Sequence, residues 1–327
     1  MKRFTDKIFN IQTECDFDEL ALQAFDFQMK NNPIYAEYVS HLNILPKRVS
    51  SVEKIPCLPI EFFKKKNIIT KNLRPELIFT SSGTSGMQTS KHLVASPELY
   101  EQSFQHSFRT FYGEPSEYVF LALLPSYLER KGSSLVYMTE RLIEDSHNPE
   151  SNFFLHNINE LAEVLQKLED EGKKSILLGV SFALIDFFEA HDFQLKNTII
   201  METGGMKGRK EEMVREELHD YLCKRSGVST IHSEYGMTEL LSQAYSDGHG
   251  IFRTPKHMRI LIRDTNDPFE RLPNGKTGGV NVIDLANIYS CPFVETMDLG
   301  KKHSTNMFEI LGRFDNSDVR GCNLMVV

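Results

Sequence analysis

Apolar positions along this chain fall into two periods, and the periods alternate. Leu20, Leu22, Ala24 and Phe25, followed by Tyr35, Tyr38 and Val39, predict helix over about 17–42, broken at Asn32-Pro33. Ile55-Pro56-Cys57-Leu58-Pro59-Ile60-Glu61-Phe62-Phe63-Lys64 reads as extended chain stiffened by two prolines. Tyr118 to Leu124 is an apolar strand that Pro125 ends. Asn159 is placed to cap a helix whose Leu161, Val164, Leu165 and Leu168 share one face. Ile176 to Val180 predicts a buried strand, and Phe182 to Phe188 a helix behind it. Thr198 to Met201 predicts another strand, closed by Gly204-Gly205. Glu211 to Lys224 predicts an amphipathic helix with Met213, Val214, Leu218, Tyr221 and Leu222 inward, and Val228 to His232 the next strand. Strands that alternate with helices predict an α/β fold with a largely parallel sheet. After about residue 250 short strands and turns such as Pro273-Asn274-Gly275 take over. The expected division is therefore an α/β core over 1–250 and a small β-rich subdomain over 251–327.

Composition narrows the function classes. The chain has 327 residues, 40% of them hydrophobic and 25% charged, as in ordinary globular proteins. Its net charge of -8 argues against broad nucleic-acid binding, although a local anion site stays open. No apolar run approaches the roughly 18 residues of a membrane span. The basic start Met1-Lys2-Arg3 has no apolar stretch behind it, so no signal peptide is read and a cytoplasmic protein is expected. Five scattered cysteines without a C-x-x-C oppose both a disulfide framework and a cysteine zinc site. The histidines show no metal-ligand spacing.

The densest chemistry lies in Thr80-Ser81-Ser82-Gly83-Thr84-Ser85-Gly86, with Lys91 five residues beyond. Glycines let backbone N–H groups converge on an anion, and hydroxyls add donors. The loop reads as phosphate-gripping, or else as a surface turn rich in Ser, Thr and Gly. It is not of the G-x-x-x-x-G-K-[ST] type. Three more segments sit where strands should end: Glu202-Thr203-Gly204-Gly205-Met206, then Ser233-Glu234-Tyr235-Gly236-Met237-Thr238-Glu239, then Asp298-Leu299-Gly300 with Gly312-Arg313-Phe314-Asp315. In parallel sheets, ligands bind at the carboxyl ends of strands.

This order of motifs resembles the adenylate-forming enzymes, namely acyl-CoA synthetases, luciferases and peptide-synthetase adenylation domains. Leu58 to Lys64 and Leu124-Pro125-Ser126-Tyr127-Leu128-Glu129-Arg130 make it most similar to the acyl-protein synthetase branch, the fatty-acid ligases of bacterial bioluminescence systems. The resemblance implies the large-domain fold of that family, with mostly parallel sheets flanked by helices. It implies that Thr80 to Lys91 holds ATP phosphates and that Gly204, Gly205 and Met206 line the adenine side. Tyr235, beside Gly236, is to stack on adenine, Thr238 to reach the α-phosphate and Glu239 to bind Mg²⁺. Asp298 is to accept from ribose hydroxyls and Arg313 to approach the ribose. Catalysis would then be charge neutralisation and alignment by Thr238, Glu239 and Lys91.

Only Asn316 to Val327 follow Asp315, so the expectation is that the family's mobile C-terminal domain, with its lysine, is absent. Within the resemblance, the acyl group passes to a cysteine near the C-terminus, which here is Cys322 in Arg320-Gly321-Cys322. A neighbouring cation lowers a thiol pKa; the other reading of Cys322 is a buried structural cysteine. The expected reaction is ATP-dependent activation of a carboxylic acid, expected to be fatty, then acid–thiol ligation, with an acyl-transferring or reductase protein as an allowed partner. Three alternatives remain open at this stage. One is a small acyl-CoA ligase. Another is a serine acyltransferase or hydrolase, since Gly179-Val180-Ser181-Phe182-Ala183 follows a strand like a nucleophile elbow, with Asp298 and His303 downstream. The last is a non-catalytic nucleotide-binding subunit. Phe182, Leu184, Phe187 and Phe188 fit either an apolar pocket or plain core.

Overall fold

The computed structural model describes residues 2–81, 89–125, 132–155, 157–204 and 213–313. Helices α1 (Lys2–Ile8), α2 (Glu14–Asn31), α3 (Pro33–His41), α4 (Phe62–Lys65) and α5 (Pro97–Tyr112) are followed by α6 (Ser134–Ser146), α7 (Ile158–Asp170), α8 (Ser181–Ala190) and α9 (Arg215–Ser226). The strands are β1 (Leu58–Pro59), β2 (Leu77–Thr80), β3 (Lys91–Val94), β4 (Val119–Leu123), β5 (Asn152–Phe154), β6 (Ser175–Val180), β7 (Thr198–Thr203) and β8 (His232–Tyr235), then β9 (Ala244–Ser246), β10 (Ile251–Arg253), β11 (Met258–Arg263), β12 (Thr277–Asp284), β13 (Phe293–Ser304) and β14 (Met307–Arg313).

Local chemistry explains most boundaries. Thr13 and Asp16 form a reciprocal capping box at the head of α2. The break foreseen at Asn32-Pro33 is one residue wide, because Asn32 caps the next helix and Pro33 takes its first position. The segment expected to be extended through Lys64 stays so only to Pro59 and then turns into α4. The cap of α7 is Asn157 rather than Asn159. The helix expected from Glu211 is described only from Arg215, and Val214, expected inward, is its exposed cap residue.

Twelve strands make one mixed sheet in the order β11-β12-β13-β14-β10-β9-β8-β7-β6-β4-β5, with β1 parallel to β13; β2 and β3 form a separate hairpin. The run from β5 to β8 is parallel, as the alternation of helices and strands requires. From β9 onward the pairs are antiparallel. One sheet therefore crosses residue 250. Alternate residues of the parallel strands feed two cores. Phe120, Ile176 and Leu178 join the cluster beneath α2, α5 and α6, while Leu121 and Leu177 join that beneath α7, α8 and α9. Phe182, Leu184, Phe187 and Phe188 are all buried in this second cluster, so the structure makes them core.

Strand β8 differs from expectation. The apolar pattern places it at 228–232, but its residues are His232, Ser233, Glu234 and Tyr235. A central strand is covered on both faces, so Ser233, Glu234 and Tyr235 are buried, and His232 partly so, without an apolar run to announce them.

Candidate nucleotide site

Among the described residues, Gly204 follows β7, Tyr235 lies at the end of β8, and Asp298 and Arg313 face each other across β13 and β14. Tyr235 closes β8. Its ring packs edge-on against Phe252 (5.8 Å between centroids) and Phe308 (5.5 Å), and its hydroxyl donates to Asp298 Oδ2 at 2.7 Å. Asp298 on β13 lies directly opposite Arg313 on β14, and the guanidinium Nε sits 3.2 Å from Asp298 Oδ1. Asp298 is buried whereas the Arg313 side chain is largely exposed, so the pair runs from core to surface. Burial raises the Asp298 pKa, against the pull of Arg313 and the Tyr235 hydroxyl. Gly236 follows at once. A Cβ there would stand 2.4 Å from Glu234 Oε1, so a larger residue would have to push the Glu234 carboxylate aside.

The hairpin β2–β3 carries the hydroxyl-rich loop. Thr80 pairs with Lys91 at its mouth, and Ser81 meets Ser90 through two bonds, Ser81 N to Ser90 O (3.1 Å) and Ser90 N to Ser81 Oγ (2.9 Å). Thr80 N also donates to Gly132 O. Lys91 is exposed and Thr80 half-buried. Ser90 reaches across to the Glu239 carboxylate, which is buried; burial raises its pKa, opposed by Ser90 and by the charges of Arg313 and Lys64. Ser81, Ser90 and Glu239 therefore form one chain of contacts from the loop mouth to the Tyr-Gly-x-Thr-Glu segment. Thr238 is half-buried beside it. Gly204 ends β7 with a φ of 70°, which favours glycine. Ser82, Gly83, Thr84, Ser85, Gly86, Gly205, Met206 and Cys322 lie outside the described residues.

Several residues that organise this region carry no sequence signal. His92 and Asn287 hold the Thr238–Glu239 backbone: Thr238 O lies 2.7 Å from His92 Nδ1, and Asn287 Nδ2 donates to Glu239 O at 2.8 Å. Asp284 accepts from the N–H groups of Leu241, Ser242 and Ala286 and from the Ser242 hydroxyl. Glu234 is buried and accepts from Thr203 Oγ1; burial lifts its pKa to about 7. These residues serve the site through partners dozens to nearly two hundred positions away, which no local motif records.

The hydrolase arrangement is not assembled. Ser181 Oγ donates to Gly204 O (2.8 Å) and faces Glu202 (3.3 Å). Asp298 is engaged by Tyr235 and Arg313, and His303 by Glu309. Burial pushes the thiols of Cys57, Cys223 and Cys291 upward, with Cys57 at about 11, which makes them poor nucleophiles. No helix among the described residues is long and apolar enough to cross a membrane.

No family model matches the chain, and a search of curated proteins returns no match. Solved structures do match. 2-Hydroxyisobutyryl-CoA ligase, in the postadenylation state with 2-HIB-AMP, aligns with a TM-score of 0.68 at 11% identity over 93% of this chain and 69% of its own. This is the fold of the adenylate-forming ligases. ATP-bound MatB from Rhodopseudomonas palustris aligns at 0.55 with 16% identity, covering 72% of this chain and 47% of its own. O-succinylbenzoate coenzyme A synthetase (MenE) from Bacillus subtilis, bound to AMP, aligns at 0.50 with 17% identity, covering 74% and 49%. The chain thus spans about half the length of MatB and MenE. Tyr235, Asp298 and Arg313 are linked within this fold by one hydrogen bond and one ion pair.

Proposed function

We propose that the protein binds ATP at the Tyr235–Asp298–Arg313 cluster and activates a carboxylic acid as its acyl-adenylate. The observation that carries this reading is the contact chain Ser81–Ser90–Glu239, which joins the mouth of an anion-loop candidate to a buried carboxylate on the Tyr-Gly-x-Thr-Glu segment. Neighbours of this fold bind ATP, AMP or an acyl-adenylate, which supports the same use here.

The residues fit their assigned parts. Asp298 is a buried acceptor suited to ribose hydroxyls, and Arg313 brings a cation beside it. Glu239 suits Mg²⁺ that arrives with the nucleotide: among the described residues its carboxylate is met by the Ser90 hydroxyl, its own backbone N–H and the charges of Arg313 and Lys64, and Mg²⁺ commonly takes one or two carboxylates plus phosphate oxygens. The described residues hold no cluster of three or more His, Cys, Asp or Glu that would make a separate metal cage. When bound, the ion would neutralise phosphate charge. Thr238 would donate to the α-phosphate and Lys91 would add a cation at the loop mouth, so the chain's own work is alignment and charge stabilisation.

The finer reading is that the acid is fatty and that its acyl group passes to a protein thiol, Cys322 of this chain, and from there to a transferring or reductase partner. The support is the resemblance to the acyl-protein synthetase branch and the presence of Arg320 beside Cys322. A carboxylic-acid panel with ATP and Mg²⁺, read by pyrophosphate release and intact mass, tests both levels. Glu239→Gln is expected to lower acid-dependent pyrophosphate release by about two orders of magnitude or more. Cys322→Ser is expected to abolish a hydroxylamine-labile acyl adduct and leave pyrophosphate release intact. Efficient acylation of free coenzyme A with no protein adduct would instead make it a small acyl-CoA ligase.

A further inference from the structure

His92 lies on β3, the strand that returns from the hydroxyl-rich loop, and its ring is fully buried. Nδ1 is 2.7 Å from the Thr238 carbonyl and Nε2 is 2.9 Å from Asn287 Oδ1. Which end of the Asn287 amide is the oxygen is decided by its other contacts. Its Nδ2 faces two carbonyls, Glu239 O at 2.8 Å and Cys291 O at 3.0 Å, and carbonyls only accept. A flipped amide would set oxygen against oxygen at both. Both nitrogens of His92 therefore face acceptors, yet a neutral imidazole carries a single N–H.

We propose that His92 is a positioning residue: it ties the return strand of the loop to the segment bearing Thr238 and Glu239, and it completes both ties only as the doubly protonated ring. Burial opposes that state and pushes the ring down to about 4, while the two hydrogen bonds push upward. Phe63 of α4 packs edge-on at 5.8 Å and adds no charge. The ionisable groups on the surrounding elements are Lys64 and Lys65 on α4, Lys91 on the strand itself, Glu239 on the tethered loop and Asp284 ahead of the turn that carries Asn287. None of these figures among the influences on the ring, which are burial, Thr238 and Asn287. The empty protein near neutral pH thus has one good tie and one oxygen facing a lone pair. A polyanion nearby favours the imidazolium. On the nucleotide reading above, ATP entry draws a proton from the buffer onto His92, and both ties close around Thr238 and Glu239.

The test uses the full chain with ATP and Mg²⁺ and no acid. Calorimetry near pH 7 in buffers of different ionisation enthalpy reads protons taken up per nucleotide bound. His92→Asn places an amide nitrogen where Nδ1 sits, so it keeps the Thr238 tie but cannot titrate. Uptake is expected to be larger in the wild type than in this variant by up to about one proton. In turnover, His92→Asn is expected to retain more kcat than His92→Ala, with KM for the acid little changed. A second measurement needs no variant: ring-¹⁵N spectra should show one buried histidine passing from a single slowly exchanging N–H to two on loading. Equal proton uptake in wild type and His92→Asn, or no doubly protonated buried ring in the loaded protein, overturns the proposal and leaves the nucleotide reading standing. Failure of the wild type to bind ATP at all overturns the nucleotide reading and the proposal with it.

Discussion

Tyr235 joins an aromatic ring to a buried hydrogen bond in one side chain. From the motif alone only the ring had a role, and removing the hydroxyl should do little. The 2.7 Å bond to Asp298 changes that expectation. Tyr235→Phe leaves a buried carboxylate oxygen short of a donor, so a loss of about 1–2 kcal/mol is expected in urea unfolding, together with weaker nucleotide binding. Equal stability of the two proteins would mean that water replaces the hydroxyl. Glu234, its neighbour, gives a pH signature. Its folded pKa, about 7, lies above the unfolded value near 4.5, so the native state holds the extra proton between those limits. For an acid raised in this way, stability is fullest below the lower limit and is lost as pH rises towards the upper one. Glu234→Gln removes the titration and keeps an acceptor for Thr203. Between pH 4.5 and 7 the wild type should lose roughly 3 kcal/mol relative to this variant, read from urea midpoints at each pH. Tyr235, Gly236 and Glu239 were legible because their motif is contiguous. Glu234 sits inside the same motif, yet its burial among Thr203, Tyr245 and Tyr100 comes from strand neighbours and a covering helix.

Between β8 and β9 the chain makes an irregular passage over 236–243, closed by one local bond from Leu240 N to Met237 O and held further by side chains from elsewhere. Asp284, at the end of β12, takes two of its N–H groups and the Ser242 hydroxyl. Asp284→Ala strands those buried donors and is expected to cost about 3 kcal/mol or more. Hydrogen exchange should locate the damage: the Leu241 and Ser242 amides should lose protection ahead of those in β6, and uniform loss across the sheet would count against a local role. At this scale the sequence is readable where the period is clean. The fully buried β6 and the capped α2 and α3 follow from spacing, Pro33 and cap residues. Strand β8 escaped because its polar side chains are buried by neighbours on both faces. Val214 misled because an apolar residue can cap a helix in the open.

Across the whole molecule, the early and late parts of the chain are interlocked. Gln28 donates to Ile288 O, Asn32 to Ser290 O and Thr70 to Tyr289 O, while β1 pairs with β13. Hydrogen bonds thus cross the boundary at about residue 250. Urea unfolding is expected to be a single transition by both fluorescence and far-ultraviolet circular dichroism. A fragment of residues 1–250 should lack that transition; a fragment that unfolds cooperatively would show the first part to be autonomous. The place of β14 has a further consequence. It is the last strand among the described residues, yet it lies inside the sheet between β13 and β10. On a ribosome, β10 and β13 emerge first and must wait with bare edges that pair readily with other chains. The sheet is bridged, and Arg313 set opposite Asp298, only after β14 has been made. Nascent chains stalled before β14 should therefore bind holdase chaperones strongly and nucleotide not at all.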